Sequence, residues 1–248
     1  MKLLDRVRFW SKMVMVGVWF ALVTPAFTLL AFPLWGRSWL GWAYGRVLSL
    51  VGLRLLGIRL VVQGRENLEH RPAVIVANHQ SNVDVLLLGA VYPRDTVVIG
   101  KRELLKIPLF GILFAASRNI LIDRRDRTRA VAGLDKAVQA LRDDGMSIWI
   151  FPEGTRSRGK SLGTFKKGAF HMAVEAGVPI LPVVTSSMRD ALDVSRRHAP
   201  GGVVEVRVLA PISTADKTTE DVAALAASTH ALFEQELVAM QPGDDRAG

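Results

Sequence analysis

Apolar positions along the chain fall into two regimes. Residues 13–36 form a run of 24 positions without a charged side chain, rich in Leu, Val, Phe, Trp and Ala and interrupted only by Pro25 and Pro33 among the prolines. Residues 38–60 are also apolar but carry Arg46, Arg54 and Arg59. About twenty apolar residues suffice to cross a bilayer core of roughly 30 Å. The region therefore predicts a membrane-associated helical hairpin over residues 1–60, which either spans once or dips into one leaflet and returns. From residue 60 onward, short β-branched runs at 60–62, 73–77, 96–99, 120–122, 147–151, 180–184 and 203–209 predict strands. Helical periodicity lies between and after them, at 83–91, 103–116, 127–143, 168–176 and 219–240. Alternation of strands and helices predicts an α/β fold for residues 61–248, with a mostly parallel central sheet flanked by helices. Residues 241–248 are polar and are expected to fray.

Charge sharpens the first regime. The chain of 248 residues carries a formal charge of +9. Residues 1–60 hold eight Lys or Arg against one acid, Asp5, so most of the excess sits in and beside the most apolar segment. A nucleic-acid-binding domain would carry such an excess as a patch on its folded body; here the distribution fits anionic lipid and argues against nucleic acid. Five of the six tryptophans (Trp10, Trp19, Trp35, Trp39 and Trp42) fall within the first 42 residues, and tryptophan concentrates at membrane–water interfaces. A cleaved signal peptide fits less well, because the apolar run is long and no Ala-x-Ala site closes it before Pro33. A buried core helix is the other competitor, and 24 uncharged residues exceed the usual length. The chain has no cysteine, which excludes a disulfide framework, a thiolate metal site and a cysteine acyl-enzyme.

The densest chemical signal is Asn78-His79-Gln80-Ser81-Asn82-Val83-Asp84, directly after the apolar run 73–77. Imidazole titrates near neutrality, and a carboxylate within hydrogen-bond reach fixes its tautomer and stabilises the imidazolium formed on proton abstraction. His79 and Asp84 are thus the candidate general base and its orienting partner. A loop histidine satisfying the backbone is the plainer alternative for such a pair taken alone. Three further segments begin near strand ends, where ligands bind in open α/β sheets. They contain Lys101, then Asp123-Arg124, then Phe151-Pro152-Glu153-Gly154-Thr155-Arg156-Ser157. Lys101, Arg124 and Arg156 offer a common crevice the cations suited to a phosphate, although each taken singly is more commonly a solvated surface charge. Residues 154–161 also fit the spelling of a P-loop ending in Lys160-Ser161, and 119–123 resemble a Walker B strand. A nucleotide hydrolase is therefore a rival, weakened because these elements stand in reversed order and leave the His79–Asp84 pair without a task. A nucleophile-elbow spelling at 159–163 lies too far beyond its strand to have the required sharp turn.

Taken in order, Asn78-His79-(x)4-Asp84, Gly100-Lys101-x-Glu103-Leu104 with Pro108 and Phe110-Gly111, Ile122-Asp123-Arg124, Phe151 to Ser157, and Val178-Pro179-Ile180-Leu181-Pro182-Val183 resemble the four motifs of the glycerolipid acyltransferases. The likeness covers about residues 60–210 and is greatest to bacterial lysophosphatidic acid acyltransferases. It shows no departure at the histidine, the aspartate or the Glu-Gly-Thr-Arg core. Any one block is weak; the ordered set is specific. The N-terminal hairpin is similar to that family's two-helix membrane element. The resemblance implies direct transfer of an acyl group from a thioester, acyl-CoA or acyl carrier protein, to the sn-2 hydroxyl of lysophosphatidic acid. The product would be phosphatidic acid, made in phospholipid biosynthesis. It also implies a catalytic pair in His79 and Asp84 and substrate phosphate binding by Lys101, Arg124, Glu153, Gly154, Thr155 and Arg156, with Glu153 able instead to shape its loop. An acyl-donor region would lie at Val178, Pro179, Ile180 and Pro182. No metal and no cofactor beyond the acyl co-substrate are expected. The expected location is the inner membrane, with the catalytic domain on the cytoplasmic side. Another lysophospholipid, or glycerol 3-phosphate, remains open as the acceptor.

Overall fold

The computed structural model describes residues 3–81, 83–123, 126–157 and 161–241, with the backbone alone at residues 3 and 127–130. Helix α1 (Leu3–Ala31) carries residues 13–31 of the uncharged run, and the turn holding the rest leads to α2 (Ser38–Leu56), closed by Gly57 in the left-handed conformation. Strand β1 (Ile58–Gln63) follows directly. The body then runs β2 (Val74–Ala77), α3 (Asp84–Gly89), β3 (Thr96–Lys101), α4 (Phe110–Ala116), β4 (Ile120–Ile122), α5 (Arg127–Arg142), β5 (Ser147–Ile150), α6 (Gly168–Ala176), β6 (Ile180–Thr185), β7 (Gly202–Val208) and α7 (Val222–Ala239).

The seven strands form one sheet in the order β1-β7-β6-β2-β5-β3-β4. Every pairing is parallel except β6 with β7. The central strands are buried on both faces, which is why they read as continuous apolar runs. Alternate side chains serve opposite layers: Val74 and Val76 pack towards α5, α6 and α7, whereas Ile75 and Ala77 join the layer holding Leu88, Val91 and Tyr92.

One expected helix, 103–116, is instead two pieces. Residues Arg102–Lys106 form a 3-10 turn, and α4 begins only at Phe110. Pro108 accounts for the break: it disfavours helical geometry at Ile107 and supplies no N–H of its own. Leu109 then turns the chain at φ 61°.

The hairpin is not a detached appendage. Leu40, Tyr44, Leu48, Leu53 and Leu56 of α2 are buried in one cluster with Leu86 and Leu87 of α3, Leu113 of α4 and Val204 of β7. The outer side of α1 is different. Its residues 4–31 are long enough and apolar enough to cross a bilayer, and little of that surface is buried against the body. Leu4, Leu22 and Leu29 are largely exposed.

Candidate active site

Parallel pairing brings the C-terminal ends of β2, β5, β3 and β4 to one edge of the sheet. The expected chemistry-bearing segments leave from that edge. His79 lies two residues beyond β2, and Asp84 is the first residue of α3. Nδ1 of His79 lies 2.6 Å from Oδ2 of Asp84. The aspartate is buried while the imidazole keeps 22% of its side-chain surface exposed. The same carboxylate accepts the backbone N–H of Gln80 at 2.7 Å and of Ser81 at 3.0 Å. The connecting turn is thus wound around Asp84, and five-residue spacing is what lets one carboxylate meet both the ring and the turn. With Nδ1 engaged, Nε2 is the nitrogen left to act as base. The imidazole stacks on Phe151, centroids 4.1 Å apart and planes inclined at 17°, which restrains its tilt.

Glu153 meets this unit from behind. Its side chain is buried, only 4% of the residue being exposed. One oxygen accepts the backbone N–H of His79 at 2.7 Å, and the other accepts the N–H of Gly163 at 2.9 Å. Burial pushes its carboxyl above the usual carboxylate range, and the two backbone donors oppose that rise. Gly163 has room for no side chain without a shift of Glu153, since a Cβ there would stand 2.9 Å from the carboxylate. The Ser157 N–H donates to the His79 carbonyl at 2.8 Å, so the loop after β5 grips the histidine backbone on both sides. Gly154, at φ 69°, makes the turn that permits this. Glu153, grouped by resemblance with the phosphate-binding residues, therefore bonds to backbone N–H groups; a buried carboxylate also repels phosphate.

Arg156 lines a cleft of about 320 Å³ together with Gln80, Ser81, Met188 and Arg189. Thr155 is exposed in the loop beside it. Lys101 ends β3 with its side chain exposed. Arg124 lies outside the described residues. A second, apolar cleft of about 130 Å³ runs between hairpin and body, lined by Tyr44, Val85, Leu88, Phe110, Phe114 and Phe151. Phe151 belongs to this cleft and to the histidine stack alike.

The segment expected to face the acyl donor lies elsewhere. Val178 and Pro179 precede β6 at the opposite end of the sheet, where the Pro179 carbonyl accepts from Val74 and Ile180 pairs with Ile212. Val178, Ile180 and Pro182 are buried strand-side residues, Pro182 standing beside Val76. What reaches the dyad is the other end of the strand. Asn78 exchanges two hydrogen bonds with the Thr185 backbone, at 2.8 and 2.9 Å. Gln80 donates to the carbonyls of Thr185 and Ser186 and accepts from the Met188 N–H. No motif marks residues 185–188; the signal available was two amides flanking the histidine, each needing partners once buried.

Among the described residues no group of His, Asp or Glu is arranged to hold a metal ion. The P-loop spelling finds no support in local geometry: residues 161–167 are not helical and α6 starts at Gly168. A P-loop needs its Lys-Ser pair at the start of a helix whose N–H groups face the phosphates. Lys160 itself lies outside the described residues.

A family model described as Acyltransferase matches residues 59–186. A 1-acyl-sn-glycerol-3-phosphate acyltransferase from Haemophilus influenzae is 38% identical over 194 residues, which cover 78% of each chain. The enzyme of the same name from Escherichia coli is 38% identical over 200 residues, 79% of this chain and 78% of that one. Among solved structures, the 1-acyl-sn-glycerophosphate (LPA) acyltransferase PlsC from Thermotoga maritima superposes with a TM-score of 0.73 at 25% identity, covering 96% of this chain and 95% of that one.

Proposed function

The chain belongs to the acyltransferase family, and from that premise we propose that it acylates the sn-2 hydroxyl of lysophosphatidic acid, using a thioester donor and His79 as general base. The observation that carries the mechanism is the 2.6 Å contact between His79 and a buried Asp84 at a strand end, beside a cleft holding Arg156.

An alcohol is a weak nucleophile near neutrality, so a base must take its proton as the oxygen attacks. Nε2 of His79 removes that proton while the sn-2 oxygen bonds to the thioester carbonyl carbon. Asp84 holds Nδ1–H and stabilises the imidazolium. The tetrahedral intermediate then expels the thiolate, which recovers the proton from His79. A thiolate leaves readily, so the scheme contains no acyl-enzyme and no metal. Arg156 and Lys101 take the acceptor phosphate, arginine through paired N–H donors, with Arg124 a third cation for that role. Gly154 and Thr155 shape the same loop, and Glu153 braces it against the His79 backbone. The apolar cleft that ends at Phe151 gives an acyl chain a dry bed next to the base. This reading moves the acyl-contacting surface from residues 178–182 to the hairpin–body cleft. Acyl-CoA or acyl carrier protein supplies the thioester. The apolar face of α1 holds the enzyme in the inner membrane, with the site on the cytoplasmic side.

The test is transfer by the purified chain in detergent, with acyl-CoA and with acyl carrier protein thioester, to a panel of lysophosphatidic acid, other lysophospholipids and glycerol 3-phosphate. Phosphatidic acid should be the dominant product, and His79→Ala should abolish it. Preference for another acceptor would overturn the substrate; full activity of His79→Ala would overturn the mechanism.

A further inference from the structure

The hairpin accounts for one apolar surface; a second lies on the catalytic body. Four large apolar side chains between β3 and the middle of α4 face solvent: Leu105 is 45% exposed, Ile107 43%, Leu109 41% and Ile112 40%. They are not surplus from a poorly packed helix, because α4 buries its other face through Gly111, Leu113, Phe114 and Ala116. The segment is held with its apolar side out. The backbone turns at Leu109 in a conformation rare for a branched side chain. Gly111 lets the 3-10 turn lie directly on α4, since a Cβ there would stand 2.7 Å from the Leu105 backbone.

This surface is continuous with the hairpin. The Thr28 hydroxyl of α1 donates to the Leu109 carbonyl at 3.1 Å. Phe20 of α1 packs on Phe110, ring centroids 6.3 Å apart. The Gly36 N–H donates to the Ala116 carbonyl. The neighbouring part of α1 exposes Leu22, Leu29 and Leu30, and Phe32 just beyond its end is exposed as well. Lys101, Arg102 and Lys106 rim the segment against one acid, Glu103, and all four side chains are exposed; Arg102 also lies 3.8 Å from Asp123. Exposed apolar residues under a cationic rim are the composition of an element lying in the headgroup region of an anionic leaflet.

We propose that residues 101–112 form a second membrane-contacting element, which inserts Leu105, Ile107, Leu109 and Ile112 into an anionic leaflet beside the hairpin. The body is then seated on the bilayer at two places. Lys101, at the edge of the element, lies at headgroup depth, where an acceptor's phosphate resides; this last consequence rests on the proposed function.

The chain lacks cysteine, so single cysteines report unambiguously. Ile107→Cys, Leu29→Cys and Glu220→Cys are each labelled with an environment-sensitive fluorophore in the full chain. They are mixed with vesicles of phosphatidylglycerol and phosphatidylcholine carrying a quencher in the upper acyl region. The Ile107 label should be quenched about as strongly as the α1 label, while the Glu220 label stays in water. An Ile107 label quenched no more than the Glu220 label overturns the proposal. As a second measurement, Lys106→Gln should weaken partitioning onto anionic vesicles by about fivefold, the usual effect of one basic residue near such a surface, and leave zwitterionic vesicles unaffected. Equal binding to both by variant and wild type would also overturn it. Transfer in detergent is the separate control: its failure would sink the catalytic reading, and a water-exposed Ile107 label would sink only this one.

Discussion

Asp84→Asn separates the charge of the dyad from its shape. Asp84 receives donors from His79 at 2.6 Å, Gln80 at 2.7 Å and Ser81 at 3.0 Å, the three converging on Oδ2. Asparagine keeps the volume but has one acceptor oxygen. If that oxygen occupies the Oδ2 position, orientation survives and only charge assistance is lost, about 1.5–3 kcal/mol, or roughly 10- to 150-fold in rate. If the amide turns, its NH2 faces Nδ1 and drives the ring proton to Nε2, where the base is disabled; the corresponding change in serine proteases costs about 10⁴. Turnover on lysophosphatidic acid should therefore fall by about 10- to 10⁴-fold, with circular dichroism unchanged. Because Asp84 is proposed to act through His79, the double variant with His79→Ala should be no slower than His79→Ala alone. Turnover of folded Asp84→Asn within threefold of wild type, or additive losses in the double variant, would refute the assignment.

Arg156→Ala should cost about ten- to hundredfold on the phosphorylated acceptor, one charge-assisted contact, and far less on an acceptor without phosphate; acceptor-by-acceptor kinetics decide it. Lys160→Ala should leave acyl transfer largely intact, with no magnesium-dependent nucleotide binding by calorimetry in either protein, the reverse of what a P-loop requires. Asp193 accepts from the Ser195 hydroxyl and from Arg196 and Arg189, which holds its carboxyl down at about 2. A pKa depressed by folding contributes stability that is full above the ordinary value of 3.8 and lost as pH falls towards 2. The melting-temperature gap between wild type and Asp193→Asn should thus narrow from pH 5 to pH 2 in scanning calorimetry. Gly89→Ala should destabilise the fold and lower turnover, because its Cβ would stand 2.4 Å from the Gly45 carbonyl oxygen, an overpacking worth about 1–3 kcal/mol; an unchanged melting temperature would contradict that packing.

The α/β pattern was legible because strands buried on both faces are continuous apolar runs, and 168–176 matches α6 residue for residue. Strand order was not legible, since β6 joins β2 across the sheet through contacts that no local pattern encodes. The antiparallel β7 was equally hidden, its runs of valine being compatible with either direction. Helix 103–116 failed at Pro108, a breaker that helical periodicity in the flanking residues masked. At the site, His79 and Asp84 could be paired from spacing alone, because a turn between strand and helix brings residues five apart together. Glu153 could not be placed, since one glutamate suits phosphate-loop support, an arginine partner or a backbone brace until its neighbours are seen. The stretch 178–182 was marked by the family resemblance alone; Ile180 and Pro182 are buried positions of β6, and Val178 and Pro179 lie just before it.

The catalytic turn and the membrane element share one rigid contact. Gly89 of α3 lies so close to Gly45 of α2 that a Cβ on Gly89 would stand 2.4 Å from the Gly45 carbonyl oxygen, whereas one on Gly45 would meet Gly89 at an ordinary 3.5 Å. Gly52 sits against Leu86 in the same way, a Cβ there meeting it at 2.9 Å. Helix α3 begins at Asp84, so the residue that orients His79 is fastened, within two turns of helix, to the element proposed to lie in the bilayer. On the proposed function, depth in the membrane and geometry of the base are set by the same packing. Removing residues 1–60 would not isolate a soluble enzyme: it would delete the start of β1 and the buried Leu40, Leu48, Leu53 and Leu56 together. Weakening attachment without touching the dyad requires changing the outward residues of α1, such as Leu22 and Leu29, whose exposure shows that the core does not need them. An enzyme whose acceptor stays in the bilayer gains from this arrangement, because the base cannot drift away from the depth at which the hydroxyl arrives.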